Sequence, residues 1–125
     1  MLLYVDTNII MDFLLNRDST AYKVLMDGYR CKPTFVTSKL VLDELDYQKV
    51  QADSFIALSI KTNKLSIKSL ERRHVTFAKK QQNTHFNDAI HAAIAIDHTN
   101  GNVLTKNIKD FTEIPGIQAI HSDNI

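Results

Sequence analysis

Only three glycines and two prolines punctuate the 125 residues, and neither a biased tract nor an internal repeat is present. That excludes a collagen-like or low-complexity chain. The single cysteine, Cys31, has no partner for an intrachain disulfide. In a chain otherwise rich in helix and strand formers, this favours a reducing compartment and a cytoplasmic location. No apolar stretch reaches the ~18 to 20 residues needed to span a bilayer. The apolar amino terminus is broken by Asp6 and Asp12 and has no basic residue before it, unlike a secretory signal. The formal charge is +1, so a polyanion would have to be held by a local patch and not by the field of the whole molecule. Zinc spacing is missing as well, with no cysteine pair and no His-Glu-x-x-His run.

What is present fits one domain spanning 1–125, with enough apolar content for a single core. Leu2 to Val5 reads as a buried strand that ends on Asp6, and Asn8 to Asn16 follows with Ile9, Ile10, Phe13 and Leu14 at helical spacing. A second helix, capped by Ser19 or Thr20, carries Tyr22, Val24, Leu25 and Tyr29 until Lys32-Pro33 breaks it. The strand Thr34 to Thr37 comes next. Ser38 then caps a helix with Leu40, Val41 and Leu45 on its inner stripe. Another helix is expected over 50–62 on Phe55, Ile56 and Ile60, a strand over 65–67, and a basic helix over 75–82. Phe86 to Asp97 is a helix rich in Ala and Ile on nearly every side, and so should be central and buried. Val103-Leu104 and 116–120 supply the last strands. Strands alternating with helices predict an α/β fold: a mostly parallel sheet of four to five strands with helices on both faces.

Right-handed crossovers place the strand carboxyl ends on one edge, where ligands bind in open α/β sheets. Asp6 and Thr105 fall at that edge, and Glu44 and Asp88 stand on helices that can point toward it. Any one of these acids alone reads equally as a helix cap or a solvated charge. Together they repel, by on the order of 4 kcal/mol for two charges ~4 Å apart at an effective dielectric of ~20. A hard divalent cation, Mg²⁺ or Mn²⁺, compensates such a cluster through oxygen ligands, and suits it to phosphodiester hydrolysis.

Four segments carry a family likeness. Val5-Asp6-Thr7-Asn8-Ile9-Ile10-Met11-Asp12, Leu42-Asp43-Glu44-Leu45, Asn87-Asp88-Ala89-Ile90-His91-Ala92-Ala93 and Leu104-Thr105-Lys106-Asn107-Ile108-Lys109-Asp110-Phe111 resemble, in order, the four motifs of PIN-domain ribonucleases. At this length the chain looks like the VapC-type toxins of bacterial toxin-antitoxin pairs. The resemblance implies a metal-dependent endoribonuclease in which Asp6 and Asp88 are the direct Mg²⁺ (or Mn²⁺) ligands and Glu44 completes the pocket or orients water. It also implies an RNA substrate, a cognate antitoxin protein and a homodimer. The fourth motif departs from the common pattern: Asn107 stands where many members place an Asp, so that either Asp110 substitutes or three acids suffice.

Thr7, Asn8 and Thr105 match polar positions that hydrogen-bond the acids or a ligand in the family; capping and strand-end satisfaction explain them equally. Asp12 also matches the first motif but reads better as a solvated or structural residue. His91 shares a helix face with Asp88, and a packed histidine in an alanine-rich helix is the simpler reading over a group that supports the acids from behind or transfers a proton. His85 and His98 flank the same helix as surface residues, and Cys31 receives no role. Arg72, Arg73, Lys79 and Lys80 form the densest basic stretch, either a solvated helix face or a contact for RNA phosphates.

Two other α/β classes place an Asp after the first strand. Phosphatases with an aspartyl nucleophile have a second acid two residues on, where this chain has Asn8. A receiver-type domain needs an Asp after a middle strand, and none follows Thr34 to Thr37. A PIN fold kept as a catalytically weak RNA- or protein-binding module is the alternative function, and retention of Asp6, Glu44 and Asp88 speaks against it.

Overall fold

The structure is a computed structural model that describes residues 2–15, 17, 34–53, 56, 57, 59 and 65–121. The helix expected after Ser19 or Thr20 lies outside the described residues, as does most of the one expected over 50–62. The strands are β1 (Leu2–Val5), β2 (Thr34–Ser38), β3 (Leu65–Lys68), β4 (Asn102–Leu104) and β5 (Gln118–Ile120). The described helices are α1 (Thr7–Leu14), α2 (Lys39–Tyr47), α3 (Arg72–Lys79) and α4 (Phe86–Thr99), with a 3₁₀ turn at Ile108–Asp110. Among the described residues no helix is long and apolar enough to cross a membrane.

All strand pairs are parallel, in the order β3-β2-β1-β4-β5. β1 is central. Its consecutive residues Leu3, Tyr4 and Val5 are all fully buried, and since neighbours on a strand point to opposite faces, the sheet is covered on both. The chain moves from β1 to β2 to β3 in one direction, then returns across β1 to β4. Right-handed crossovers therefore place α1 and α2 on one face and α3 and α4 on the other.

α4 packs on β1, β2 and β4 and also against α3. That double contact explains why Ala89, Ile90, Ala92, Ala93, Ile94 and Ala95 are all buried: a helix apolar on every side needs a partner on every side. Burial of each isoleucine contributes about 1.5–3 kcal/mol. The helix stops at Asn100 and Gly101, both left-handed (φ 55° and 82°), where the Gly101 N–H returns to Ala95 O at 3.0 Å. This is the usual way to satisfy a last-turn carbonyl. α3 begins earlier than the expected 75–82. The Glu71 N–H donates to His74 Nδ1 at 3.0 Å and the His74 N–H to Glu71 O at 3.0 Å, which closes the first turn before Val75.

The order of strands reverses between β1 and β4. In an open parallel sheet the crevice at such a reversal, beyond the strand carboxyl ends, is where a ligand fits. Asp6 follows β1 and Thr105 follows β4, so the fold brings residues far apart in the chain to that crevice.

Candidate functional site

Asp6 is almost wholly enclosed at 5% exposure. Its Oδ1 accepts the Thr7 N–H at 2.8 Å and its Oδ2 the Thr105 hydroxyl at 2.8 Å. The Asp6 N–H donates to Leu104 O at 3.0 Å, locking the ends of β1 and β4 together. Burial pushes the Asp6 carboxyl above its ordinary value; His91 and the hydrogen bonds from Thr105 and Thr7 oppose this without cancelling it, and nearby Glu44 adds to the rise.

Glu44, on α2, receives two hydrogens on one oxygen. Oε1 accepts the Thr7 hydroxyl at 2.9 Å and His91 Nε2–H at 2.6 Å. Burial alone would raise this acid, but the hydrogen bond and charge of His91, then the Thr7 hydroxyl and His85, bring it below its ordinary value. Of the three acids, it is the one whose surroundings favour the charged form.

Asp88 sits in the first turn of α4 and accepts no hydrogen bond among the described residues. Burial first, then repulsion from Asp110 and Asp6, push its carboxyl up to about 6, against the pull of His91 and His85. A helix amino terminus ordinarily favours a carboxylate. Here desolvation and like charge prevail.

Asp6, Glu44 and Asp88 line one cleft of about 500 Å³, together with Thr7, Asn8 and Tyr47. Asn107 and Asp110 are exposed and do not line it. The Asn107 N–H supports Thr105 Oγ1 at 3.0 Å, and Asp110 acts on Asp88 through its charge. Asp12 pairs with Lys106 at 2.6 Å and Arg17 at 2.9 Å, in keeping with a structural role.

One described group of three brings its ligand atoms all within 4.8 Å of one another: Glu71, His74 and Asp97. The cleft acids stand further apart. In that group His74 Nδ1 already accepts the Glu71 N–H, so Nε2 carries the proton it gives to Asp97 Oδ2 at 2.5 Å. Arg73 spans Glu71 at 2.5 Å and Asp97 at 3.1 Å. Both ring nitrogens are engaged and an arginine supplies the positive charge, so the group is a clip from α3 to α4. Arg72, Arg73 and Lys80 line a separate groove with Thr76 and Phe77, away from the acids. Lys79 is exposed on the same helix.

Sequence spacing did not assign Tyr47, Tyr4 or Ser38 to the site, nor pair His91 with Glu44. Tyr47 stands three residues after Glu44, one helical turn away, and that signal was available. His91 shares a turn with Asp88, yet its hydrogen bond crosses to α2, which no local pattern encodes. His91 is indeed packed, at 1% exposure, and also holds an acid of the cleft.

The family model described as PIN domain matches residues 3–117. No match was found among curated proteins. Three similar solved structures are VapBC2 from Rickettsia felis bound to a DNA fragment from their promoter, a toxin-antitoxin complex from Klebsiella pneumoniae, and VapC20 from Mycobacterium tuberculosis, described as a sarcin-ricin loop cleaving toxin. The first is 24% identical with a TM-score of 0.70, covering 97% of this chain and 98% of that one. The second is 22% identical with a TM-score of 0.68, covering 98% and 99%. The third is 18% identical with a TM-score of 0.59, covering 82% and 87%. At these identities the likeness is one of fold.

Proposed function

This chain belongs to the PIN domain family, and from that premise we propose that it is a Mg²⁺- or Mn²⁺-dependent endoribonuclease, the VapC-type toxin of a toxin-antitoxin pair. The observation that carries this reading is the meeting of Asp6, Glu44 and Asp88 in one cleft at the strand-order reversal.

The donor set fits a hard cation. It offers carboxylate oxygens, and Asp88, raised to about 6 by burial and by the charges of Asp110 and Asp6, would be relieved by a positive charge. Mg²⁺ keeps several of its waters and is held through few carboxylates, which suits acids spaced across a cleft. Asp6 and Asp88 would hold it, with Glu44 beside them. When bound, such an ion supplies charge neutralisation at the scissile phosphate and a more acidic water. Thr105 and the Thr7 N–H favour the charged form of Asp6 against its burial, and Thr7 and His91 fix Glu44. Tyr47, at 84% exposure on the cleft rim, presents an aromatic face on which an unpaired base can stack. Asn107 and Asp110 serve in this reading as supports beyond the ligands, and Arg72, Arg73, Lys79 and Lys80 as a basic face for RNA phosphates.

The similar toxin-antitoxin structures support an antitoxin partner; a homodimer and a cytoplasmic location complete the proposal. The test is cleavage of a structured RNA with Mg²⁺ or Mn²⁺, set against EDTA and Asp6→Asn. We expect loss of cleavage in both. Cleavage without metal, or undiminished in Asp6→Asn, would refute the mechanism. Growth arrest on expression, relieved by a co-expressed antitoxin, tests the biological role.

A further inference from the structure

A buried polar network runs behind the cleft. Tyr4 is fully enclosed in β1, yet its hydroxyl lies 2.8 Å from Ser38 Oγ and 2.5 Å from His91 Nδ1. The Tyr4 and His91 rings stand 5.6 Å apart, inclined at 51°. On its other side, His91 Nε2 meets Glu44 Oε1 at 2.6 Å.

The donors can be assigned by elimination. Ionised Glu44 only accepts, so Nε2 carries a hydrogen. A neutral ring has one such hydrogen; Nδ1 is then the acceptor, Tyr4 its donor, and the Tyr4 oxygen accepts from Ser38. In a charged ring Nδ1–H donates to Tyr4, which turns its own hydrogen to Ser38, and Nε2–H still faces Glu44. A hydrogen on Nδ1 alone would set two acceptors face to face. Burial holds the Tyr4 phenol well above its ordinary range, so its hydroxyl remains protonated.

We propose that Tyr4 and His91 are positioning residues for the cleft. The Tyr4 hydroxyl, anchored on Ser38, sets His91 so that Nε2–H pins Glu44 Oε1. Glu44 Oε2, which accepts no hydrogen bond among the described residues, is thereby left for a divalent cation or its water. Ligands in metal sites are commonly oriented by such outer partners, whose removal costs about 10- to 100-fold in affinity or activity. Only the catalytic consequence rests on the ribonuclease reading.

The test combines spectra with metal binding. Long-range ¹H–¹⁵N spectra of the wild-type protein should show a proton on Nε2 of His91; a neutral ring protonated on Nδ1 overturns the proposal. Mn²⁺ affinity, followed by electron paramagnetic resonance below the melting temperature, should fall about 10-fold in Tyr4→Phe and at least as far in His91→Leu. His91→Gln, whose amide can donate to Glu44, should recover most of it. With RNA, Tyr4→Phe should lower kcat and leave KM within about twofold. Folded variants that all keep wild-type Mn²⁺ affinity refute positioning, as does a wild-type protein that binds no Mn²⁺. If Tyr4→Phe does not fold, the wild-type spectrum and the two His91 variants decide. A protein with the expected spectra and Mn²⁺ losses that cleaves no RNA supports positioning and removes only the nuclease reading.

Discussion

Thr105 donates its hydroxyl hydrogen to Asp6 Oδ2 at 2.8 Å across 99 positions of sequence, and so ties the ends of β1 and β4 together through their side chains. Thr105 is fully buried and Asp6 nearly so. Thr105→Val keeps the shape and removes the donor, leaving a desolvated carboxylate oxygen unpaired. We expect a loss of about 1–3 kcal/mol, recovered largely by Thr105→Ser, in chemical denaturation. A loss below about 0.5 kcal/mol would mean that water replaces the threonine at Asp6.

Asp88 makes stability depend on pH in a defined direction. Its folded value of about 6 lies above the unfolded value near 3.8, so between these the folded chain binds more protons and stability falls as pH rises. The elevation corresponds to about 3 kcal/mol, reduced to about 1–2 kcal/mol by solvent screening at this half-buried group. Asp88→Asn should therefore raise the metal-free melting temperature at pH 7–8, and the gain should fade as pH falls from about 6 toward 4. Divalent ions should stabilise the wild type more than the variant. A melting temperature lowered at every pH would make Asp88 structural.

The alternation of strands and helices, the buried α4 and the Ser38 cap were legible because they rest on local periodicity. Ser38 Oγ does accept the Val41 N–H, at 3.4 Å. The early start of α3 was not, because Glu71 and His74 close that turn through a histidine acting as an acceptor, outside the usual capping residues. Asp6, Glu44 and Asp88 could be named from strand ends and helix faces, and their roles as ligands remain part of the proposal. Tyr4 and Ser38 looked like core and cap. Only the register of β1 beside β2, with Tyr4 opposite Val36, and α4 across the sheet turn them into one network with His91.

On α3, the charges are unequal. Arg73 is tied to Glu71 and Asp97, whereas Arg72, Lys79 and Lys80 have no acidic partner among the described residues. If this face meets RNA, Lys79→Ala with Lys80→Ala should weaken RNA binding and lower the slope of log affinity against log salt by about 2. Arg73→Ala should act mainly on stability. An unchanged slope in the double variant would leave the basic face as a solvated surface.

Tyr47 makes a separate prediction for substrate binding. Its exposure means that Tyr47→Ala removes little packing, so folding should change by less than about 0.5 kcal/mol. Loss of a stacked base is worth about 1–3 kcal/mol, which would appear as a KM raised about 5- to 150-fold on single-stranded substrate. Tyr47→Trp should retain binding. Equal KM values for Ala and Trp variants would exclude stacking there.

Gly101 tests how far the site depends on the sheet behind it. It has φ +82°, and a Cβ there would lie 1.9 Å from Gly116 O, a backbone atom that cannot swing aside. Gly116 has φ +88°, but a Cβ on it would meet only the Ile96 side chain, at ordinary contact distances of 3.6 and 3.8 Å. Gly116→Ala therefore incurs the left-handed cost alone, about 1–2 kcal/mol, while Gly101→Ala adds a backbone collision and should exceed about 3 kcal/mol. The Gly101 carbonyl also accepts the Gln118 N–H at 2.8 Å, and the Thr105 N–H donates to Ile120 O at 3.0 Å. A displaced β4–β5 pair thus moves Thr105 and its hydrogen bond to Asp6. Gly101→Ala should lose divalent-ion stabilisation as well as fold stability, whereas Gly116→Ala should keep the former; equal ion responses would uncouple β5 from the cleft.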